Sequence, residues 1–306
     1  MTPGFLEQLD RWLKDGWRML APAMRDSVNA AVKPFAEPDG GYRGRHGSSD
    51  RYYTDFAVRL LDLGDTPRSE FERIADFLRK QPADADLVHL FCHLNTVRLL
   101  RNRKVETASS VNVRRILDAQ QADQGGYAHP GRSEPSAYLT FLAALVCEMT
   151  DDAFPEPAKA AAALRGLRQE DGGFSDEPAQ VLSQASTTAA AVAALGLLGQ
   201  MDAQETAKAA LFLAQLQTPD GGIRAHRDAP EADLLSTFTV LTSLAGMGAL
   251  DLVRLAPIGR YVLGLRTAEG GFRGMSADPE YDIEYTYYGL GSLCLLQAYL
   301  NGEGSR

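Results

Sequence analysis

Leu167–Leu198 reads LRQEDGGFSDEPAQVLSQASTTAAAVAALGLL, and the order of its parts decides the fold. A helix end runs into Asp171-Gly172-Gly173-Phe174, a polar loop follows, and an alanine-rich helix closes the stretch. The same order recurs as AEPDGGYR at Gly40-Gly41, QADQGGYA at Gly125-Gly126, QTPDGGIR at Gly221-Gly222 and RTAEGGFR at Gly270-Gly271. Gly173, Gly222 and Gly271 follow one another at intervals of about 49 residues. Gly41 and Gly126 lie two slightly shorter periods apart, which places a degenerate copy between them, QPADADLVHLFCHLNTVRLLRN. Such a period marks stacked supersecondary units, each burying its apolar face against its neighbours.

Each copy reads as helix, Gly-Gly turn, loop of about ten residues, helix. The second helices, among them SAYLTFLAALV, STFTVLTSLAGM and YTYYGLGSLCLL, are apolar almost all round and so are buried on every side. The first helices, such as AQETAKAALFLAQLQ, are amphipathic. They are expected over 67–80, 109–119, 157–167, 203–216 and 251–265. Six buried inner helices ringed by six half-exposed outer ones make an all-α protein, an α/α toroid with one end left as a concave cavity. No strand-like alternation competes. The toroid is expected over 35–300, after a helical lead-in over 1–34 and before a frayed polar tail at 301–306. Trp12 and Trp17 in the lead-in either cap the core or present a contact surface.

Apolar residues make up 45% of 306, ample for a large core, and the net charge of −9 argues against a broad nucleic-acid surface. The sequence holds no apolar run long enough to span a bilayer. The N-terminus MTPGFLEQLDRWLKDGW is amphipathic and acid-containing, unlike a signal peptide, and the ending GEGSR offers no lipidation box. Cys92, Cys147 and Cys294 sit in apolar helical text and read as buried free thiols, so a cytoplasmic location is expected.

The Gln-x-x-Asp-Gly-Gly-Phe turn with its Ser/Thr-rich helix resembles the repeat of protein prenyltransferase β-subunits over about 35–298. QTPDGGIR, RTAEGGFRG and YDIEYTYYGLGSL are most similar to the geranylgeranyltransferase type II (Rab) β-subunit, with squalene and terpene cyclases more distant. The resemblance implies a zinc ion held by Asp and Cys on the fifth inner helix and His on the sixth. Zinc there would activate a substrate thiol toward a prenyl diphosphate. At those positions this chain has Asp233, Leu235 and Tyr285. Leucine cannot ligate and neutral tyrosine does so poorly, so zinc is a possible cofactor with two of three family ligands missing. Asp233 with Asp282 or Glu284 would suit a harder ion such as Mg²⁺, against the plainer role of helix capping. The cyclase branch needs an Asp-x-Asp-Asp acid, and Gln184-Ala185-Ser186-Thr187 stands in its place. Asp84-Ala85-Asp86 holds only a fragment of that pattern and is read as a cap.

Arg43, Arg224 and Arg273 recur two residues after the second glycine, with Arg45, His46, His226 and Arg227 in the same loops. They form either a cationic collar for a diphosphate or ion pairs copied with the repeat. Tyr52, Tyr53, Tyr138, Phe141, Phe238, Tyr285, Tyr287 and Tyr288 begin the inner helices and are either core or the lining for an isoprenoid chain. His89, Cys92 and His93 share one helical face with Asp86, either as a soft metal site or as packing.

The resemblance implies a prenyltransferase β-like protein, expected to bind an isoprenoid diphosphate in a central cavity and to transfer it to a peptide or small-molecule acceptor. Asp233, Glu284 and Tyr285 are its catalytic candidates. Two rival readings are a non-catalytic isoprenoid carrier or interaction scaffold, and an atypical terpene cyclase. A homodimer is expected, or a pairing with a separate helical α-subunit-like partner.

Overall fold

The computed structural model of the chain describes residues 4–82, 86–107 and 111–303. The helices among them are α1 (Phe5–Met19), α2 (Pro22–Val32), α3 (Arg51–Leu63), α4 (Arg68–Lys80), α5 (Leu87–Asn102), α6 (Val113–Ala119), α7 (Ala137–Thr150), α8 (Pro157–Gly166), α9 (Ala185–Leu197), α10 (Ala203–Gln215), α11 (Leu234–Gly246), α12 (Leu255–Gly264) and α13 (Ile283–Glu303). The protein is all-α, as its periodicity requires. Six helices form the buried set (α3, α5, α7, α9, α11, α13), and α2, α4, α6, α8, α10 and α12 precede them one for one.

Two boundaries differ from expectation. Helix α6 begins at Val113, while residues 109 and 110 lie outside the described residues. The segment expected over 251–265 is a 3₁₀ turn, Leu250–Leu252, followed by α12. Val253 between them is extended, and Pro257 sits in the first turn of α12, where no intrahelical N–H is needed. A third difference is a two-stranded antiparallel ribbon, Phe272–Arg273 with Tyr281–Asp282.

That ribbon is the fullest form of a turn built five times. Gln169 N–H donates to Gly173 O at 2.9 Å, and Gly172 N–H donates back to Gln169 O at 3.1 Å. Phe174 then bridges Arg168 on one side and Gln184 on the other. Its N–H donates to the Thr188 hydroxyl at 2.9 Å. The same bond joins Tyr42 to Thr54, Tyr127 to Thr140, Ile223 to Thr237 and Phe272 to Thr286. Each of these five residues after Gly-Gly is buried, and burying a side chain of that size contributes about 1.5–3 kcal/mol. The first glycine must be glycine for two reasons. At Gly221 φ is +108°, and a Cβ would stand 2.3 Å from Pro257 O on the next half-exposed helix.

Acidic or hydroxyl caps start the buried helices other than α9, where Gln184 makes no side-chain cap. Asp50 accepts from Tyr53 N–H, Asp86 from His89 N–H, Ser136 from Leu139 N–H and Asp233 from Ser236 N–H. Thus Asp86 is a cap, as read, while Asp84 and Ala85 lie outside the described residues.

The chain divides into two compact units. One comprises residues 7–112 and 259–306. In it α3 packs on α5 and α13, with α2 and α4 against α3. Helix α1 lies on α13 so closely that a Cβ at Gly16 would stand 1.8 Å from Cys294 O. Gly270, in the last Gly-Gly turn, rests on Ser27 of α2. Trp17 is buried and Trp12 half-buried. The other unit comprises residues 1–6 and 113–258. Here α7, α9 and α11 pack in succession, with α8 and α10 against α9. Ala137, Ala160, Ala161, Ala191, Ala194 and Ala209 form its core with Leu164, Leu195 and Phe174. Small side chains at the contacts let those helices approach closely.

Candidate functional site

The expected site residues fall into two groups, one in each unit. Arg43, Arg45, Tyr52, Tyr53, Arg273, Asp282, Glu284, Tyr285, Tyr287 and Tyr288 belong to the first unit. Tyr138, Phe141, Arg224, His226, Arg227, Asp233, Leu235 and Phe238 belong to the second.

In the first unit, the loop before α3 meets the loop before α13 through Arg45. Its guanidinium forks onto Asp278 at 3.0 and 2.5 Å, donates to Asp282 Oδ2 at 2.8 Å, and lies 5.8 Å from the Tyr285 ring centre. Asp282 also caps α13 by accepting from Tyr285 N–H at 2.8 Å. Beside it, Glu284 Oε1 accepts from Tyr52 Oη at 2.8 Å and from Tyr288 Oη at 3.2 Å. Burial pushes the Glu284 carboxyl above the usual range, the charge on Asp282 adds to this, and the two tyrosine hydroxyls and Arg45 oppose it. Burial likewise raises Asp282. The raised Glu284 carboxyl thus sits inside an aromatic cluster in which Tyr52, Phe56, Tyr287 and Tyr288 meet edge to face. Gly44 and Gly274 make room for it: a Cβ there would strike the Tyr53 and Tyr285 rings at 2.5 and 2.6 Å.

Deeper in this unit Arg59 pairs with Asp55, which is fully buried and accepts from Asn95 Nδ2 at 2.7 Å. The Arg59 guanidinium lies 5.2–5.5 Å from the centres of Phe56, Phe91 and Tyr287. Tyr287 thus stacks on a cation belonging to the protein itself.

The loop arginines divide by partner. Arg43 pairs with Glu37 at 2.8 Å, and Arg227 with Asp171 at 2.8 Å. With Arg45, these are the ion pairs read as the alternative to a collar. Arg273 reaches the Gly264 carbonyl at 3.4 Å. Arg224 makes no ion pair among the described residues, and its buried Nε has no hydrogen-bond partner there. The buried Nδ1 of His226, two residues on, has none either.

Asp233 spends both oxygens as a cap, accepting Ser236 N–H at 2.7 Å and Ser236 Oγ at 2.8 Å, and burial raises its pKa. Leu235 is half-buried and Phe238 buried. Tyr138 is partly exposed, and Phe141 meets Phe5 edge to face at 5.3 Å. His89 binds Asp86 at 2.8 Å, whereas Cys92 and His93 are buried, and burial lowers the His93 pKa to about 4. Those three do not converge as metal donors. Among the described residues the trio that does is His129, Asp176 and Glu177, which the periodicity did not single out. Its signal was present in the sequence: Asp176 and His129 stand at the same place in their copies, where the other copies carry Gly44, Ala225 or Gly274.

The family model for the prenyltransferase alpha-alpha toroid domain matches residues 11–302. Among solved structures the chain is similar to Candida albicans protein geranylgeranyltransferase-I complexed with GGPP, at 16% identity and TM-score 0.66 over 87% of this chain and 90% of that one. It is similar to the type II terpene cyclase MstE from Scytonema, at 14% identity and TM-score 0.61 over 92% and 99%. A polysaccharide lyase, BACCELL_00875, is similar at 12% identity and TM-score 0.56 over 93% and 98%. At such identities these likenesses concern the fold alone. No curated protein matches the chain significantly. No helix among the described residues is long and apolar enough to cross a membrane.

Proposed function

Because this chain belongs to the prenyltransferase α/α toroid family, we propose that it binds an isoprenoid diphosphate and transfers the prenyl group to a peptide or small-molecule acceptor. The observation that carries the reading is the loop before α11, where Arg224 Nε and His226 Nδ1 are buried without partners among the described residues. A buried donor left unpaired costs about 1–3 kcal/mol, and a phosphate oxygen is the acceptor an arginine fork suits best. Arg43, Arg45 and Arg227 are occupied by carboxylates and Arg273 reaches the Gly264 carbonyl, so the diphosphate role narrows from the whole collar to Arg224 and His226. In the transfer step the acceptor's heteroatom bonds to C1 of the prenyl group while the C1–O bond breaks. Pyrophosphate leaves with that electron pair, and the acceptor's proton passes to a base. Leu235 rules out the thiolate ligand of the family's zinc, so the reading routes no step through that ion. A homodimer is part of this reading, and a monomer mass in solution scattering would remove it.

The test is calorimetric titration with farnesyl and geranylgeranyl diphosphate, followed by a pyrophosphate-release assay with and without a thiol-bearing peptide. Release that needs the acceptor supports transfer, and binding without any release supports a carrier. Absence of binding to both diphosphates overturns the reading.

A second reading is favoured by Glu284. A carboxyl whose pKa burial raises, held by Tyr52 and Tyr288 within an aromatic cluster, suits proton-initiated cyclisation of a terpene. Under it, product forms without acceptor and without release of pyrophosphate.

A further inference from the structure

We propose that the loops before α7 and α9 form a divalent-metal site, with His129 Nε2, one oxygen of Asp176 and one of Glu177 as ligands to a zinc-class ion. This site is separate from the proposed diphosphate loop and from Asp233, and it does not depend on the prenyl-transfer reading. The three donor atoms lie within 4.8 Å of one another, and all three residues are half-buried.

The distances favour a shared ion over direct bonding. His129 Nε2 stands 3.5 Å from Asp176 Oδ2 and 3.6 Å from Glu177 Oε1, at or beyond the limit of a useful hydrogen bond. Two ligands at about 2.0–2.1 Å from a tetrahedral zinc ion lie roughly 3.3–3.5 Å apart, so these separations are close to those of a coordination shell.

The donor set is not part of the repeated scaffold. What the repeat needs at position 176 is a backbone carbonyl. Asp176 O accepts from Ala137 N–H at 2.9 Å, as Ala225 O accepts from Ala185 N–H at 2.7 Å one copy later. Alanine serves there, and of the three remaining copies two carry glycine while the third carries His129 itself. The Asp176 carboxylate is an addition, and it is held in place. It accepts Ser136 Oγ at 2.9 and 3.0 Å and Tyr138 N–H at 2.9 Å, the outer bonds that orient a ligating carboxylate. Arg132, 3.5 Å from Glu177 Oε2, is 59% exposed and balances part of the charge while leaving the other Glu177 oxygen to the ion. One nitrogen and two hard oxygens suit zinc, and three protein ligands leave a position open to water. The chain's three cysteines are buried free thiols, so sulfur does not compete.

The experiment uses the full chain, stripped with chelator, dialysed and titrated with zinc chloride by calorimetry. Elemental analysis and X-ray absorption at the zinc edge follow. One ion per chain is expected, in a shell of one nitrogen and oxygens without sulfur. His129→Ala and Glu177→Gln should each weaken zinc binding more than about 100-fold while far-UV circular dichroism stays helical. Undiminished uptake by His129→Ala overturns the proposal, as does a sulfur-containing shell or no binding by the unmodified chain. If a variant fails to fold, the absorption spectrum and stoichiometry of the unmodified protein decide the question alone.

Discussion

Phe174 N–H donates to the hydroxyl of Thr188, 2.9 Å away, and ties the residue after Gly-Gly to the first turn of the buried helix. Both residues are essentially inaccessible to water. Thr188→Val keeps the shape and removes the acceptor, leaving a buried N–H unpaired. The expected loss is about 1–3 kcal/mol, read as a lower urea midpoint at unchanged slope.

Two glycines should respond differently to alanine. Gly221→Ala adds left-handed strain and a clash with Pro257 O 2.3 Å away, so a loss above about 2 kcal/mol is expected. Gly47→Ala meets strain alone, since φ is +86° with no atom within 4 Å of the new Cβ, and should lose about 1 kcal/mol. Equal losses in thermal unfolding would contradict this account.

His93 is 2% exposed, and burial lowers its pKa to about 4 from an ordinary 6.5. The unfolded chain therefore binds the extra proton first. Stability should be complete above about pH 6.5 and fall as pH drops toward 4, by up to about 3 kcal/mol. His93→Gln should flatten that acid limb in denaturation curves measured across the range.

Glu284 runs the other way, because burial raises its folded pKa above the unfolded value. Its native carboxyl holds a proton that the unfolded chain has released. Stability from this group therefore declines as pH rises from the ordinary carboxylate range through the raised pKa. Glu284→Gln should remove that decline and leave the protein at least as stable at neutral pH. In the cyclisation reading it also abolishes turnover.

Arg224→Ala and His226→Ala should each weaken geranylgeranyl diphosphate binding about tenfold to a hundredfold, the effect of losing one charge-assisted bond. Arg43→Ala, whose guanidinium already holds Glu37, should change affinity much less. Calorimetry on the three variants separates these outcomes.

The repeated turns and helix pairs were legible because their causes are local. Gly-Gly supplies the turn, apolar text all round demands burial, and Asp86 or Asp233 before an apolar run caps a helix. The boundary at α12 was less so, since the extended Val253 divides a pattern that apolar spacing alone reads as continuous.

By itself the sequence determined the all-α class and the number and order of the helix pairs. The tertiary structure alone decided which charges are already spent. Arg45 is neutralised by Asp278 and Asp282, more than two hundred positions away, while Arg224 carries no such partner among the described residues. It also brought His129 to Asp176 and Glu177 across a repeat boundary. The reason is one of range. Turn and helix preferences act within a few residues, but ion pairs and ligand sets depend on distances of a few ångströms that only the packing of one repeat on the next sets.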